Sequence, residues 1–90
     1  MSYRIVIEKL AKKHIAAHKR SGNVKLFRKI GNLLEELEEH PREGTGKPEM
    51  LSGDLPGYWL RRIDSKHRLV YSIEDDIVTV TVISAKGHYE

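Results

Sequence analysis

The sequence predicts an α+β fold in the order β-α-α-β-β-β, on three observations. The chain opens with a period-two alternation. Two stretches of helical spacing follow. It closes on three alternating segments separated by acidic turns. In the first of these, Tyr3, Ile5 and Ile7 alternate with Arg4, Val6 and Glu8, as a short strand with one buried face requires. From Glu8 to Arg20 there is no β-branched run, and Leu10, Ala11, Ile15 and Ala17 recur at helical spacing. Ser21-Gly22-Asn23 ends that helix: Gly22 suits a left-handed cap, and Asn23 can cap the next helix. Val24, Phe27, Ile30, Leu34 and Leu37 then form an apolar stripe at steps of three and four, stopped by His40-Pro41. Glu35, Glu36, Glu38 and Glu39 crowd the end of this helix, where the helix dipole opposes them, and they read as solvating residues.

Residues 41–57 hold all three prolines and four of the seven glycines, so a long loop is expected, and a loop of that length in a small domain usually has a task. Tyr58–Ile63, His67–Glu74 and Ile77–Ser84 read as an antiparallel meander, with turns at Asp64-Ser65 and Asp75-Asp76. At 90 residues the chain has room for one core, so residues 1–90 are expected to form one domain. Hydrophobic residues make up 39% and charged residues 32%, a composition that folds rather than one that stays disordered. No apolar run approaches the roughly 20 residues of a membrane helix, and MSYRIVIEKLAKKH is too short in its apolar part for a signal peptide. An unexported, cytoplasmic protein with no membrane partner is therefore expected. The absence of cysteine excludes disulfides, thiol catalysis and zinc–thiolate sites.

The formal charge is +3, but its distribution says more than its total. Lys9, Lys12, Lys13, Lys19, Arg20, Lys25, Arg28 and Lys29 follow one another with no acidic residue between them. Such a run either faces a polyanion or is a solvated helix surface. A second polar group gathers around the sheet: Lys47 and Glu49 in the loop, Arg61, Arg62 and Arg68 in strands, and His88 in the tail. These residue types suffice to cleave RNA without a metal or any other cofactor. A base takes the proton from a ribose 2′-hydroxyl, a guanidinium steadies the phosphorane, and an acid protonates the departing 5′-oxygen. Arginine suits the middle role because it stays charged and can engage two oxygens at once. Arg61 and Arg62 must point to opposite faces of their strand, so at most one of them shares the site's surface, and alternation alone does not say which. His14 and His18 have the i, i+4 spacing of a two-histidine metal pair but lack the metalloprotease glutamate, so no metal site is assigned. His67 reads as structural. Gly44-Thr45-Gly46-Lys47 lacks the spacing and the following helix of a phosphate loop.

Four stretches, in this order, resemble the YoeB/Txe family of toxins from type II toxin–antitoxin systems: Gly44-Thr45-Gly46-Lys47-Pro48-Glu49-Met50-Leu51, Gly57-Tyr58-Trp59-Leu60-Arg61-Arg62-Ile63, His67-Arg68-Leu69-Val70-Tyr71 and His88-Tyr89. The resemblance implies a RelE-like fold, an antiparallel twisted sheet with the two N-terminal helices packed on it. It also implies a ribosome-dependent endoribonuclease that cleaves messenger RNA in the ribosomal A site, inhibits translation and is held inactive by a cognate YefM/Axe-like antitoxin. Homodimers occur among the relatives. Glu49 aligns with the family's general base, Arg68 with its phosphate-stabilising arginine and His88 with its general acid. Lys47, Arg62, Lys86 and Tyr89 fall to substrate binding, and Lys9, Lys12, Lys13, Lys19 and Arg20 to ribosomal RNA. The tail departs from the family pattern: Gly87 withholds a side chain that could restrain it, and Glu90 adds a carboxylate. Ser52 stands where relatives can carry a lysine. Two other functions fit the same fold, a non-catalytic inhibitor of a macromolecule such as gyrase and a plain RNA-binding module.

Overall fold

The computed structural model describes residues 2–51 and 57–87, so Ser52, His88, Tyr89 and Glu90 lie outside the described residues. The elements are β1 (Arg4–Ile7), α1 (Lys9–Arg20), α2 (Val24–Glu39), β2 (Glu49–Met50), β3 (Tyr58–Arg62), β4 (Arg68–Glu74), a 3-10 turn (Asp75–Ile77) and β5 (Thr79–Ser84). Gly22 takes φ +80°, and the Asn23 side chain accepts a bond of 3.1 Å from the Leu26 amide, so the turn between the helices is built as its residues suggest. Asp64 Oδ1 accepts from the amides of Lys66 and His67 and so forms the turn between β3 and β4.

The five strands form one sheet in the order β1-β5-β4-β3-β2. The meander β3-β4-β5 is antiparallel, as expected. Two features differ from the sequence reading. β1 runs parallel to β5, with Ile5 opposite Val80, so the sheet is mixed rather than wholly antiparallel. A parallel pair needs a long crossover, and here the whole chain between β1 and β5 supplies it. Second, Glu49 and Met50 leave the long loop to pair with Leu60 and Trp59 as an extra edge strand. Two residues are too few for an alternation to be seen in the sequence.

The helices cover one side of the sheet. Leu26, Ile30, Leu33 and Leu37 of α2 and Ala11 of α1 are buried against Leu69, Tyr71, Val80 and Val82. At roughly 1.5–3 kcal/mol for each large side chain, this burial is the main stabilising term. The buried stripe of α2 is rotated from the expected one: Ile30 and Leu37 belong to it, Leu34 is half-buried beside it, and Val24 and Phe27 are 63% and 37% exposed. Those two lie in the first turn of α2, next to the turn to α1, where the Lys19 ammonium stands 5.9 Å from the Phe27 ring.

One charged side chain sits entirely inside this layer. Arg61 of β3 is fully buried. Its Nε donates to Tyr71 Oη at 3.1 Å, and its two terminal nitrogens donate to Glu36 Oε1 and to the carbonyls of His40, Glu43 and Thr45. Tyr71 in turn donates to the Pro41 carbonyl at 2.9 Å. Glu36 is therefore not a solvating residue: it pairs with Arg61 and also accepts from the amide and hydroxyl of Thr45. Gly44 and Gly46 let the loop lie this close. A Cβ at Gly44 would stand 1.8 Å from Glu36 Oε1, and one at Gly46 would stand 2.7 Å from the Arg62 carbonyl.

Truncating a buried cation strands its partner carboxylate and three carbonyls, so Arg61→Ala should lower stability by about 3–5 kcal/mol; urea denaturation measures this. Burial alone would raise the Glu36 carboxyl pKa, but the bonds from Thr45 and Arg61 outweigh it and hold the group below its ordinary value of 4.5. The folded pKa lies below the unfolded one, so this stabilisation is present above about pH 4.5 and is lost as pH falls through the depressed value. Glu36→Gln should flatten that part of the stability–pH curve relative to the parent chain, as read from denaturation midpoints across the acid range.

Candidate active site

The side of the sheet away from the helices carries three of the polar residues singled out in the sequence, Glu49, Arg62 and Arg68. Alternation along β3 sends Arg61 inward with Trp59, so Arg62 shares the outer face with Leu60. In β4 Leu69 and Tyr71 face the helices, which leaves Arg68 and Val70 on the outer face. Glu49 pairs with Leu60 and so also faces outward. Arg62 and Arg68 are direct partners across the β3-β4 ladder. Their Cβ atoms are therefore on the order of 5 Å apart, and Glu49 lies diagonal to Arg62 at about 7–8 Å. Across two strand spacings, Glu49 and Arg68 flank a shallow strip about 10 Å wide.

Like charges placed directly opposite one another on a sheet repel. Among the described residues neither Arg62 nor Arg68 has a carboxylate partner. Arg68 is half-buried, and its Nη1 donates to the Asp64 carbonyl at 2.7 Å and to the His67 carbonyl at 3.2 Å, so the turn orients the guanidinium without neutralising it. Arg62 is exposed. The register places two cations as cross-strand neighbours on one face, with a carboxylate one strand further on.

Lys47 is exposed on the loop that leads to Glu49, with φ at 51°. The left-handed region costs a side-chain-bearing residue roughly 1–2 kcal/mol. The Arg62 amide donates to the Gly46 carbonyl at 2.7 Å, so the loop is fixed to β3 immediately before this strained residue.

The tail reaches the same neighbourhood. β5 bulges where Val70 pairs with Ser84 and Tyr71 with Val82, and beyond Ser84 the chain runs alongside the start of β4. The Arg68 amide donates to the Gly87 carbonyl at 3.0 Å, and the Gly87 amide donates to His67 Nδ1 at 3.0 Å. Gly87 takes φ +76°, a conformation that favours glycine, so its missing side chain does not leave its backbone unrestrained. Lys86 is exposed beside it. His88 and Tyr89 lie outside the described residues.

His14 and His18 do not form a metal pair. His18 is buried, with Nε2 2.8 Å from the Ala85 carbonyl, and His14 Nδ1 accepts from the Ala85 amide at 3.1 Å. The i, i+4 spacing aims both rings at one residue of the tail. Among the described residues no three His, Asp or Glu side chains group as metal ligands. On α1, Lys9, Lys12, Lys13, Lys19 and Arg20 are exposed, Lys9, Lys13 and Arg20 on the side opposite Ala11 and Ile15 and Lys12 and Lys19 on its flank, and among the described residues none of them forms an ion pair. No helix among the described residues is long and apolar enough to cross a membrane.

Residues 14–89 match the model of a family described as the YoeB-like toxin of bacterial type II toxin–antitoxin systems. The toxin YoeB of Mycobacterium bovis is 51% identical over 65 residues, which cover 72% of this chain and 74% of that one. The YoeB/ParE toxin of Agrobacterium tumefaciens has a similar structure, with a TM-score of 0.88 at 32% identity over 96% of this chain and 99% of that one. YoeB of Staphylococcus aureus is similar both as a dimer and in complex with YefM, with TM-scores of 0.84 and 0.81 at 33% and 34% identity, each over 99% of this chain and all of the other.

The two neighbouring arginines of β3 should respond oppositely to truncation. Arg62→Ala relieves a like-charge pair and removes little packing, so its stability should stay within about 0.5 kcal/mol of the parent or rise. Denaturation of Arg62→Ala alongside Arg61→Ala checks the assignment of one arginine to each face.

Proposed function

The chain belongs to the family of YoeB-like toxins of bacterial type II toxin–antitoxin systems, and from that membership and the outer face of its sheet we propose that it is a ribosome-dependent endoribonuclease acting on messenger RNA. The observation that carries this reading is the pair Arg62 and Arg68, placed directly opposite each other without an acidic partner among the described residues and flanked by Glu49. Two facing guanidiniums next to a carboxylate suit a phosphodiester whose neighbouring hydroxyl must lose a proton.

In the proposed reaction the Glu49 carboxylate takes the proton from the ribose 2′-hydroxyl. The freed oxygen bonds to the adjacent phosphorus, and Arg68, with Arg62 beside it, balances the charge that builds on the phosphoryl oxygens. The bond from phosphorus to the 5′-oxygen breaks, and His88 delivers a proton to that oxygen. The products are a 2′,3′-cyclic phosphate and a 5′-hydroxyl. Electrons and atoms balance without a redox partner or cofactor, and one proton has moved from substrate to Glu49 while another has moved from His88 to product. Lys47, Lys86 and Tyr89 are proposed to hold the substrate on either side of the scissile linkage.

The exposed basic side of α1 supports a grip on ribosomal RNA, in which Lys9, Lys12, Lys13, Lys19 and Arg20 meet phosphates without reading sequence. The proposed place of action is accordingly the cytoplasm. A YefM/Axe-like antitoxin is proposed as the inhibiting partner, since S. aureus YoeB is known in complex with YefM, and a homodimer is proposed as a further assembly, since S. aureus YoeB also forms one.

The test compares programmed ribosomes with naked messenger RNA, mapping new 5′ ends. Cleavage is expected with ribosomes only. Glu49→Gln should lower the rate by about 10²–10⁴ and Arg68→Ala by about 10²–10³, each with an unchanged circular dichroism spectrum. Translation arrest with no new 5′ ends would favour a non-catalytic inhibitor instead, and full cleavage by both variants would refute the assigned roles.

A further inference from the structure

Three histidines meet at one short piece of backbone. His14 Nδ1 accepts from the Ala85 amide, His18 Nε2 lies 2.8 Å from the Ala85 carbonyl, and His67 Nδ1 accepts from the Gly87 amide. The rings of His18 and His67 meet edge to face, with centroids 4.6 Å apart. These imidazoles come from two distant parts of the chain, α1 and the turn before β4. Together with the Arg68 amide, which donates to the Gly87 carbonyl, they engage an amide and a carbonyl on each of two residues. The residue that follows Gly87 is His88.

The bonds also fix the protonation state of the rings. A backbone amide can only donate, so Nδ1 of His14 and Nδ1 of His67 must each offer a lone pair, which leaves the proton on Nε2 and the ring uncharged. A carbonyl can only accept, so His18 Nε2 carries a proton. The cleft beside the rings, with a volume of about 500 Å³, is lined by Lys66 and Lys86, which disfavour further positive charge.

We propose that His14, His18 and His67 are positioning residues: they hold the backbone of Ala85 and Gly87 against the start of β4, beside Arg68, with His14 and His67 as uncharged imidazoles, and the proposed cleavage depends on that anchoring. The inference rests on the nuclease reading for its catalytic half, while the anchoring of the tail stands without it. Protonation of His14 or His67 removes the lone pair that the tail amide needs. Burial first, then Lys86 and His18, holds the His14 imidazole below its ordinary value of 6.5. For His67 burial also leads; Asp64 pulls the other way, and His18, Lys66 and Lys86 add to the lowering. The tail amides bond only the unprotonated rings, so by linkage docking is complete above about pH 6.5 and weakens as pH falls through the depressed values.

Amide exchange followed by NMR on the full chain reads the anchoring directly. Protection factors of the Ala85 and Gly87 amides should fall roughly tenfold between about pH 7.5 and about pH 5.5, while those of Tyr71 and Val82 in the core hold. Asn Oδ1 stands where His Nδ1 does and accepts without titrating, so in His14→Asn/His67→Asn that fall should vanish. Equal protection of the two tail amides at both pH values in the parent chain would overturn the anchoring, and this arm needs no variant to fold. Saturating single-turnover cleavage on programmed ribosomes at about pH 7.5 reads the catalytic half. His14→Ala/His67→Ala should lose at least roughly tenfold in rate with its half-saturating ribosome concentration unchanged, and the Asn pair should recover to within about threefold of the parent. Equal rates in the Ala pair and the parent, or equal losses in the Ala and Asn pairs, would overturn positioning. A parent chain that cleaves nothing would remove the nuclease reading and leave the exchange result to decide the anchoring.

Discussion

The guanidinium of Arg61 is the constraint on which the geometry of the outer face depends. A buried cation is unfavourable unless every donor is used, and here the donors go to Tyr71, to Glu36 and to three carbonyls of the loop that follows α2. That loop is rich in glycine and proline and has little apolar surface with which to hold itself down. Its carbonyls, which would otherwise need water, are gathered onto one charge instead. The consequence reaches beyond the loop. Thr45 is fixed on Glu36, Gly46 on β3, and the chain then has only Lys47 and Pro48 before Glu49 enters the sheet. A carboxylate on a two-residue edge strand has almost no intrinsic precision; its place is inherited from the buried ion pair behind it.

The same strand thus carries two consecutive arginines with opposite purposes, and the pleat separates them. Arg61, turned inward, is neutralised and fully bonded. Arg62, turned outward, faces Arg68 with no acid between them among the described residues. Repulsion between the two is a modest destabilisation that an anion would cancel, and residues held in unfavourable arrangements without local compensation are where function is to be sought. Lys47, with its positive φ, belongs to the same pattern.

Much of this was legible in the sequence because it is local. The strand alternations, Gly22 at a left-handed turn, Asn23 as a cap and Pro41 after the helix each follow from one residue's own chemistry. The rest required partners distant along the chain. Whether Arg61 or Arg62 faces outward depends on the phase of β3, and a phase is not visible until one face is known to be covered. Glu36 resembles its neighbours Glu35, Glu38 and Glu39 in sequence and differs only in facing Arg61 across a gap of 25 residues. The buried stripe of α2 could be drawn through Val24 and Phe27 as well as through Leu26 and Leu33; the packing against Leu69, Tyr71, Val80 and Val82 decides between them, and the helix itself does not. β2 escaped for want of length.

The histidines of α1 show how a correct spacing can carry a wrong chemistry. His14 and His18 do lie on one face a turn apart, as a metal pair would, but the face they share is the inner one, and the ligands they meet are peptide groups of Ala85. Lys9, Lys13 and Arg20 occupy the other side of the same helix. One rigid cylinder therefore touches the base of the tail along one side and carries exposed positive charge along the other, with about 10 Å between the two surfaces. A polyanion gripping the outer side raises the proton affinity of nearby imidazoles through its field, and the intervening helix, by keeping that charge a full diameter away, limits the effect on the rings. With the exposed positive charge and the tail contacts on opposite sides of α1, an anion drawn to the outer side would stand about a helix diameter from the rings that meet Ala85.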